Sequence, residues 1–125
     1  MKKCVIAICL LLNFCFAIDF YNSNNDEIIQ VDFFNQEKEI NFKIYKQNRL
    51  IKDAKAKMPF NEVLGIEYGS DEKGNLFEAD EYVYETKTCY ISFRIESDDK
   101  SAMSIGVSDN CKELNELNSR YFERK

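Results

Sequence analysis

The sequence predicts a small, mainly β protein, built as an antiparallel meander sheet or barrel with a short C-terminal helix. Three observations lead to this fold class. The first residues have the charge and hydropathy pattern of a removable leader. The central part alternates apolar and polar residues with a period of two, and the last residues repeat apolar positions with a helical period.

Residues 1–17 show the regions of a signal peptide. Lys2 and Lys3 give a positive start, and residues 4–16 follow without a charge. A membrane-spanning helix needs about 20 apolar residues, so we expect no integral membrane segment after cleavage. We expect cleavage after Ala17, with lipidation at Cys15 as the alternative. The leader predicts a periplasmic or secreted protein.

The mature chain is expected to hold one domain. Residues 18–27 are polar and rich in asparagine, which predicts a flexible lead-in, and residues 28–125 form a single β-rich domain. Without the leader the chain has 15 basic and 22 acidic residues, a net charge of −7. This charge argues against nucleic acid and anionic lipid surfaces and is compatible with a cationic protein partner. Solubility alone is the simpler explanation of the charge.

Two cysteines remain after the leader is removed, Cys89 and Cys111. In an oxidising compartment they are expected to form a disulfide. A redox pair would have the Cys-x-x-Cys spacing, and a zinc site would need ligands that a chain without histidine lacks. We therefore predict a structural bridge and no metal.

Alternating residues predict the strands. Ile29, Val31 and Phe33 share one face, and Ile40, Phe42 and Ile44 return after a polar turn, which together indicate a hairpin. A third strand is expected over residues 50–58, ended by Pro59. Residues 69–75 predict a loop, residues 82–95 one long strand with Cys89, Ile91, Phe93 and Ile95 inward, and residues 103–107 the returning strand.

The C-terminal segment has a different period. Cys111, Leu114, Leu117 and Tyr121 recur every three or four positions. Asn110 with Glu113 resembles a capping pair, so a short helix is expected.

The residue types favour a protein that is not an enzyme and has no cofactor. Without histidine there is no Ser-His or Cys-His dyad, and the glycines do not reproduce a phosphate-binding motif. Paired acids (Asp71-Glu72, Asp80-Glu81, Asp98-Asp99) could in principle hydrolyse glycosides. Asp71, Glu72 and Asp80 could bind calcium, although their spacing does not match an EF-hand loop. Their turn-like surroundings make solvated charge the simpler interpretation.

Tyrosines offer a candidate binding surface. Tyr82, Tyr84 and Tyr90 alternate with the inward residues of the long strand, so they would share its opposite face. An exposed tyrosine row suits protein binding, because tyrosine combines a large contact area with a hydroxyl group. A closed or two-layered sheet would instead bury part of both faces, and this structural interpretation is preferred.

The leader, the succession of strands, the segment Gly65-Ile66-Glu67-Tyr68 and the late Cys111 resemble the bacterial periplasmic inhibitors of c-type lysozyme and the related adhesin complex proteins. That family consists of small β-barrels. The resemblance implies that Gly65 and Tyr68 lie near a contact surface for lysozyme, although Leu64 occupies the position of the family's serine.

The expected partner surface includes Gly65, Tyr68, Tyr82 and Tyr84, with Ser70 and Lys73 in the loop that follows Tyr68. The leading hypothesis is an exported non-enzymatic binding protein that inhibits a cationic hydrolase such as lysozyme. The alternative is a structural or adhesion-associated component of the cell envelope.

Overall fold

A computed structural model describes residues 16–34, 36–59, 67–112 and 114–124, with residues 54–59 described by their backbone alone. The described chain is mainly β, as the alternation predicts. It divides into two compact units, one formed by the described residues up to Pro59 and the other by the described residues from Glu67 onward. The single β-rich domain expected over residues 28–125 stays a prediction.

The first unit is an antiparallel meander of four strands in which each strand pairs with the next. The strands are β1 (Phe16–Asn22), β2 (Glu27–Phe34), β3 (Glu39–Lys46) and β4 (Arg49–Pro59). The predicted hairpin corresponds to β2 and β3, and the third predicted strand ends at Pro59 as expected.

The core face of this unit follows from the two-residue period. Ile29 pairs with Ile44, and Val31 with Phe42, so their side chains fall on one side of the sheet. The buried apolar side chains of the unit are Ile18, Phe20, Ile29, Val31, Phe33, Ile40, Phe42 and Ile44.

The predicted flexible lead-in is largely a strand, because residues 18–22 belong to β1. Ile18 and Phe20 are buried against β2. The Asn-rich stretch forms the β1–β2 turn, in which Asn22 Oδ1 accepts hydrogen bonds from the backbone N–H groups of Asn24 at 3.0 Å and Asn25 at 3.3 Å. Because the turn is polar, the short apolar alternation of Ile18 and Phe20 before it does not stand out in the sequence.

The second unit is also an antiparallel meander. Its elements are β5 (Glu67–Ser70), β6 (Leu76–Glu85), β7 (Tyr90–Glu96), β8 (Ala102–Val107), a 3-10 turn at Asn115–Leu117 and β9 (Tyr121–Arg124). Consecutive strands pair with each other. Its largest fully buried side chains are Tyr82, Phe93, Phe122, Ile91 and Ile95.

The long strand predicted over residues 82–95 is two strands. The chain turns at residues 86–89, where the backbone N–H of Thr86 donates to the carbonyl of Cys89 at 2.8 Å. β7 therefore runs back along β6, so Tyr82 pairs with Phe93 and Tyr84 with Ile91. Period-two alternation continues on both sides of the turn, which is why the sequence pattern does not reveal it.

The predicted C-terminal helix is absent from the described residues and is replaced by a 3-10 turn and β9. Leu114 and Leu117 are buried, so their predicted apolar role is correct. Beyond them, Ser119 has a left-handed φ of 67° and its N–H donates to the Ile105 carbonyl at 2.8 Å. Pairing with β8 thus satisfies the backbone groups that a helix would have bonded internally.

Cys89 and Cys111 form the predicted disulfide, with their Cα atoms 4.4 Å apart. It joins the β6–β7 turn to the segment that follows β8. In the part of the chain that the structure describes, no helix has the length and apolar character needed to cross a membrane.

Candidate functional site

Two large apolar side chains, Leu76 and Tyr68, are exposed on the β5–β6 hairpin, with 70 % and 44 % of their surfaces accessible. Ser70 pairs with Leu76, and Tyr68 with Glu78. Directly opposed residues project to the same side of a sheet. These four side chains therefore form one surface, which we call the hairpin face.

The loop beside the hairpin face is shaped by Asp71. Its Oδ1 accepts hydrogen bonds from the backbone N–H groups of Lys73 and Asn75, each at 2.9 Å, and its Oδ2 accepts from Asn75 Nδ2 at 3.2 Å. These hydrogen bonds lower the pKa of the Asp71 carboxyl, and the bond from the Asn75 backbone N–H has the largest effect. Gly74 supplies the left-handed φ of 84° that the turn requires. The loop is thus held in one shape before any partner binds.

The opposite side of the hairpin packs on its own sheet. Gly69 lies against Phe77 and β8, where an added Cβ would come within 2.8 Å of Ser104 Oγ. The Phe77 ring packs edge-on against Tyr121, with 6.3 Å between centroids. Because this side is close-packed, the hairpin face has a fixed direction.

A buried polar cluster also supports β5. Glu81 is 4 % exposed, and its Oε2 accepts hydrogen bonds from Ser92 Oγ at 2.6 Å and Arg94 Nε at 3.1 Å. Arg94 Nη1 also donates to the Tyr68 carbonyl at 3.4 Å. Arg94 therefore links the edge strand that carries Tyr68 to the middle of the sheet.

The structure brings together three of the residues predicted for partner binding. Tyr68 and Ser70 lie on the hairpin face, and Lys73 is exposed in the adjoining loop. Gly65 lies outside the described residues. The candidate tyrosine row does not form an exposed surface, because Tyr82 is 1 % exposed and, with the half-buried Tyr84, shares the face of Phe93 and Ile91.

Sequence reasoning missed Leu76 and Glu78. A signal for both was available, because residues flanking a hairpin loop oppose each other in an antiparallel pair. Centring the hairpin on the loop at residues 71–75 places Leu76 opposite Ser70 and Glu78 opposite Tyr68.

The structure shows where two of the acid pairs noted in the sequence lie. Asp80 and Glu81 are successive residues of β6 and project to opposite sides. The Asp71 carboxylate is engaged by its own loop. Among the described residues there is no group of three histidine, cysteine or acidic residues arranged to hold a metal ion.

The acidic charge is concentrated in the second unit. Residues 61–124 contain 15 acidic and 7 basic residues, a net charge of −8, whereas residues 18–60 contain 7 of each. The hairpin face therefore lies in the unit that carries the whole acidic excess.

Comparison of the chain with protein-family models, curated proteins and solved structures finds no match. Functional inference therefore starts from the geometry and charge of the hairpin face.

Proposed function

We propose that this chain is an exported binding protein without enzymatic activity, and that it inhibits a cationic hydrolase of the lysozyme kind. The hairpin face would enter the cleft of the hydrolase. The observation that carries the proposal is the exposure of Leu76 and Tyr68 on the same face of a well-supported acidic hairpin.

The energetics of protein–protein binding favour this hairpin as a contact surface. Binding energy concentrates in a few apolar or aromatic side chains that become fully desolvated, surrounded by polar groups that exclude water. Leu76 and Tyr68 supply the apolar centre, and Ser70 and Glu78 lie beside them. Since Asp71 and Arg94 already fix the loop and β5, little conformational entropy is lost on binding.

Charge supports a cationic partner. A net charge of −8 on the second unit attracts a basic protein over several ångströms and raises the association rate, an effect that salt screens. The similarity of the Gly65–Tyr68 segment to the loop of the lysozyme inhibitors points to the same class of partner.

Export forms part of the proposal. The Cys89–Cys111 disulfide suits an oxidising compartment such as the periplasm or the extracellular space. Cleavage after Ala17 would leave Ile18 and Phe20, the two buried apolar residues of β1, in the mature chain.

A lysis assay tests the proposal. Purified protein at micromolar concentration should protect a peptidoglycan suspension from c-type lysozyme at low salt, and protection should fade as salt rises. Tyr68→Ala and Leu76→Ser should lose protection. Tyr90→Ala, which removes an exposed tyrosine of β7 outside the hairpin face, should keep it.

Lack of protection at low salt by a folded wild-type chain would overturn the proposal. Stoichiometric crosslinking of that same chain to an envelope protein in native cells would then favour a structural or adhesion-associated role. Protection that survives both hairpin substitutions would leave inhibition standing but move the contact surface elsewhere.

A further inference from the structure

The expected cleavage point of the leader lies inside β1, opposite an acidic residue of β2. The strand begins at Phe16, two residues before Ile18, which would be the first residue left by cleavage after Ala17. In the β1–β2 register Ala17 pairs with Asp32. Removal of the leader therefore creates a new α-amino group within a paired strand, next to the position of Asp32.

The Asp32 side chain projects to the face of the first unit that is opposite its core. Its neighbours Val31 and Phe33 are buried on the core face, and successive residues of a strand project to opposite faces. Directly opposed residues have Cβ atoms about 4.5–5.5 Å apart. Because the Ile18 nitrogen directly follows Ala17, the carboxylate of a residue opposite Ala17 is within reach of it.

This face has more acidic than basic groups around Asp32. Burial raises the pKa of Asp32 most; the Lys43 charge lowers that pKa, and the Asp19 and Asp53 charges raise it. Lys43 is itself directly opposite the exposed Asp53 of β4. Glu39 lies diagonal to Asp32 on β3 and adds a further acid. Among the side chains that the structure describes on this face, the acids thus outnumber the cations, and an added positive charge is favoured.

We propose that cleavage after Ala17 creates an ion pair in which the α-ammonium group of Ile18 binds the Asp32 carboxylate. Hydrolysis of the Ala17–Ile18 peptide bond adds one water molecule. Ala17 leaves as a carboxylate, and the amine of Ile18 takes up the proton. An exposed α-amino group has a pKa of about 8, so the new terminus is positively charged at neutral pH. Opposite charges within about 4–6 Å favour the charged forms of both groups.

The ion pair would hold the new start of β1 in the sheet. The first residues of a chain are poorly ordered unless they are tied down. In the uncleaved chain the Phe16 ring stacks on Phe33, with 4.8 Å between centroids. Cleavage removes this contact and places an ion pair at the same end of the strand. Ile18 and Phe20 can then stay buried although the strand has lost its first two residues.

The inference rests on the export that forms part of the proposed function, and on cleavage after Ala17, but not on lysozyme inhibition. Expression of the full chain with its leader, followed by mass determination of the exported protein, tests this premise. The exported chain should begin at Ile18. Another first residue would overturn the cleavage position and the ion pair together, whereas the lysis assay bears on the hydrolase alone.

Titration of the α-amine tests the ion pair itself. Isotope-labelled methyl groups on this amine keep its charge and report its protonation by NMR. In the exported chain the Ile18 amine should titrate at a higher pH than an exposed α-amino group. Asp32→Asn should return it to the ordinary value. Asp53→Asn makes the same charge change on the same face but on β4, and its effect should be much smaller.

Selective acetylation of the α-amine provides a second measurement. At pH 7 it should raise the equilibrium constant of unfolding about threefold, as expected for a partly exposed ion pair. A raised folded pKa stabilises the fold below the unfolded pKa of the amine, so the effect of acetylation should disappear as the pH rises through the folded value. In Asp32→Asn, acetylation should have no such effect. An ordinary pKa of the Ile18 amine, an equal response to Asp32→Asn and Asp53→Asn, or acetylation without effect would overturn the proposal.

Discussion

Glu81 and Arg94 form an ion pair across β6 and β7, with 3.1 Å between Arg94 Nε and Glu81 Oε2. The Glu81 side chain is 5 % exposed and that of Arg94 43 % exposed, so a buried carboxylate meets a guanidinium that still contacts water. Through its Nη1, the same guanidinium reaches the Tyr68 carbonyl. The pair thus connects the stability of the sheet to the position of the proposed contact surface.

Arg94→Met should lower the free energy of unfolding by about 1–3 kcal/mol, because it removes a hydrogen-bonding cation from a buried carboxylate. Solvent screening at the half-exposed guanidinium keeps the loss below that of a fully buried pair. Urea denaturation measures the change. Arg94→Met combined with Glu81→Gln should cost less than the sum of the two single substitutions, and strict additivity would contradict the pairing.

Gly69→Ala should destabilise the chain by about 1–3 kcal/mol through overpacking against Phe77 and Ser104. Gly106→Ala is the matched control, since the nearest atom to its added Cβ is Ser92 Cβ at 4.0 Å. The control should change stability by less than about 1 kcal/mol. Equal effects of both substitutions in thermal or urea unfolding would show that β5 does not pack closely on β8.

Reduction of the Cys89–Cys111 bridge should cost about 3 kcal/mol, since it closes a loop with a sequence separation of 22. Urea unfolding with and without dithiothreitol measures this loss. The double variant Cys89→Ser/Cys111→Ser removes both cysteines that follow the predicted leader. It should unfold like the reduced wild type and be insensitive to reductant; a wild type equally stable in reductant would contradict the prediction.

Glu96 should make the free energy of unfolding depend on pH in the acid range. Burial acts to raise its pKa, but hydrogen bonds from the backbones of Asp99, Asp98 and Ser101 outweigh it and lower the pKa to about 2 from an ordinary 4.5. A depressed folded pKa stabilises the fold above pH 4.5, and this contribution disappears as the pH falls toward 2.

Glu96→Gln removes this dependence. Its unfolding free energy should fall below that of the wild type above pH 4.5, and the difference should shrink as the pH falls toward 2. Urea unfolding across this pH range gives the difference directly. A constant difference would show that the Glu96 charge does not stabilise the β7–β8 turn.

Local patterns predict part of this fold well. Ile29, Val31 and Phe33 alternate without interruption, so their shared buried face follows from the sequence. Only two cysteines lie outside the predicted leader, which leaves one pairing, Cys89 with Cys111. Pro59 ends β4 because proline has no N–H to donate to a sheet ladder.

Other features depend on tertiary contacts that a periodicity does not contain. The turn at residues 86–89 preserves the alternation on both sides, so the pattern alone puts Tyr82 on the wrong face. The three-residue spacing of Leu114 and Leu117 fits a 3-10 turn as well as it fits an α-helix. Pairing with β8 then makes the next segment, β9, a strand. The net charge of the whole chain averages over an acidic second unit and a first unit whose residues 18–60 carry no net charge, and only the structure shows where the two units divide.

Calorimetric titration of c-type lysozyme at low salt tests the central claim most directly, because it measures the contribution of the hairpin face without reference to an activity. Leu76→Asp should weaken binding about 30-fold relative to the wild type, as expected for a central apolar contact. Leu50→Asp, which places the same charge on an exposed leucine of the other unit, should leave the affinity unchanged. Wild-type binding that is insensitive to Leu76→Asp, or absent altogether, would contradict the account.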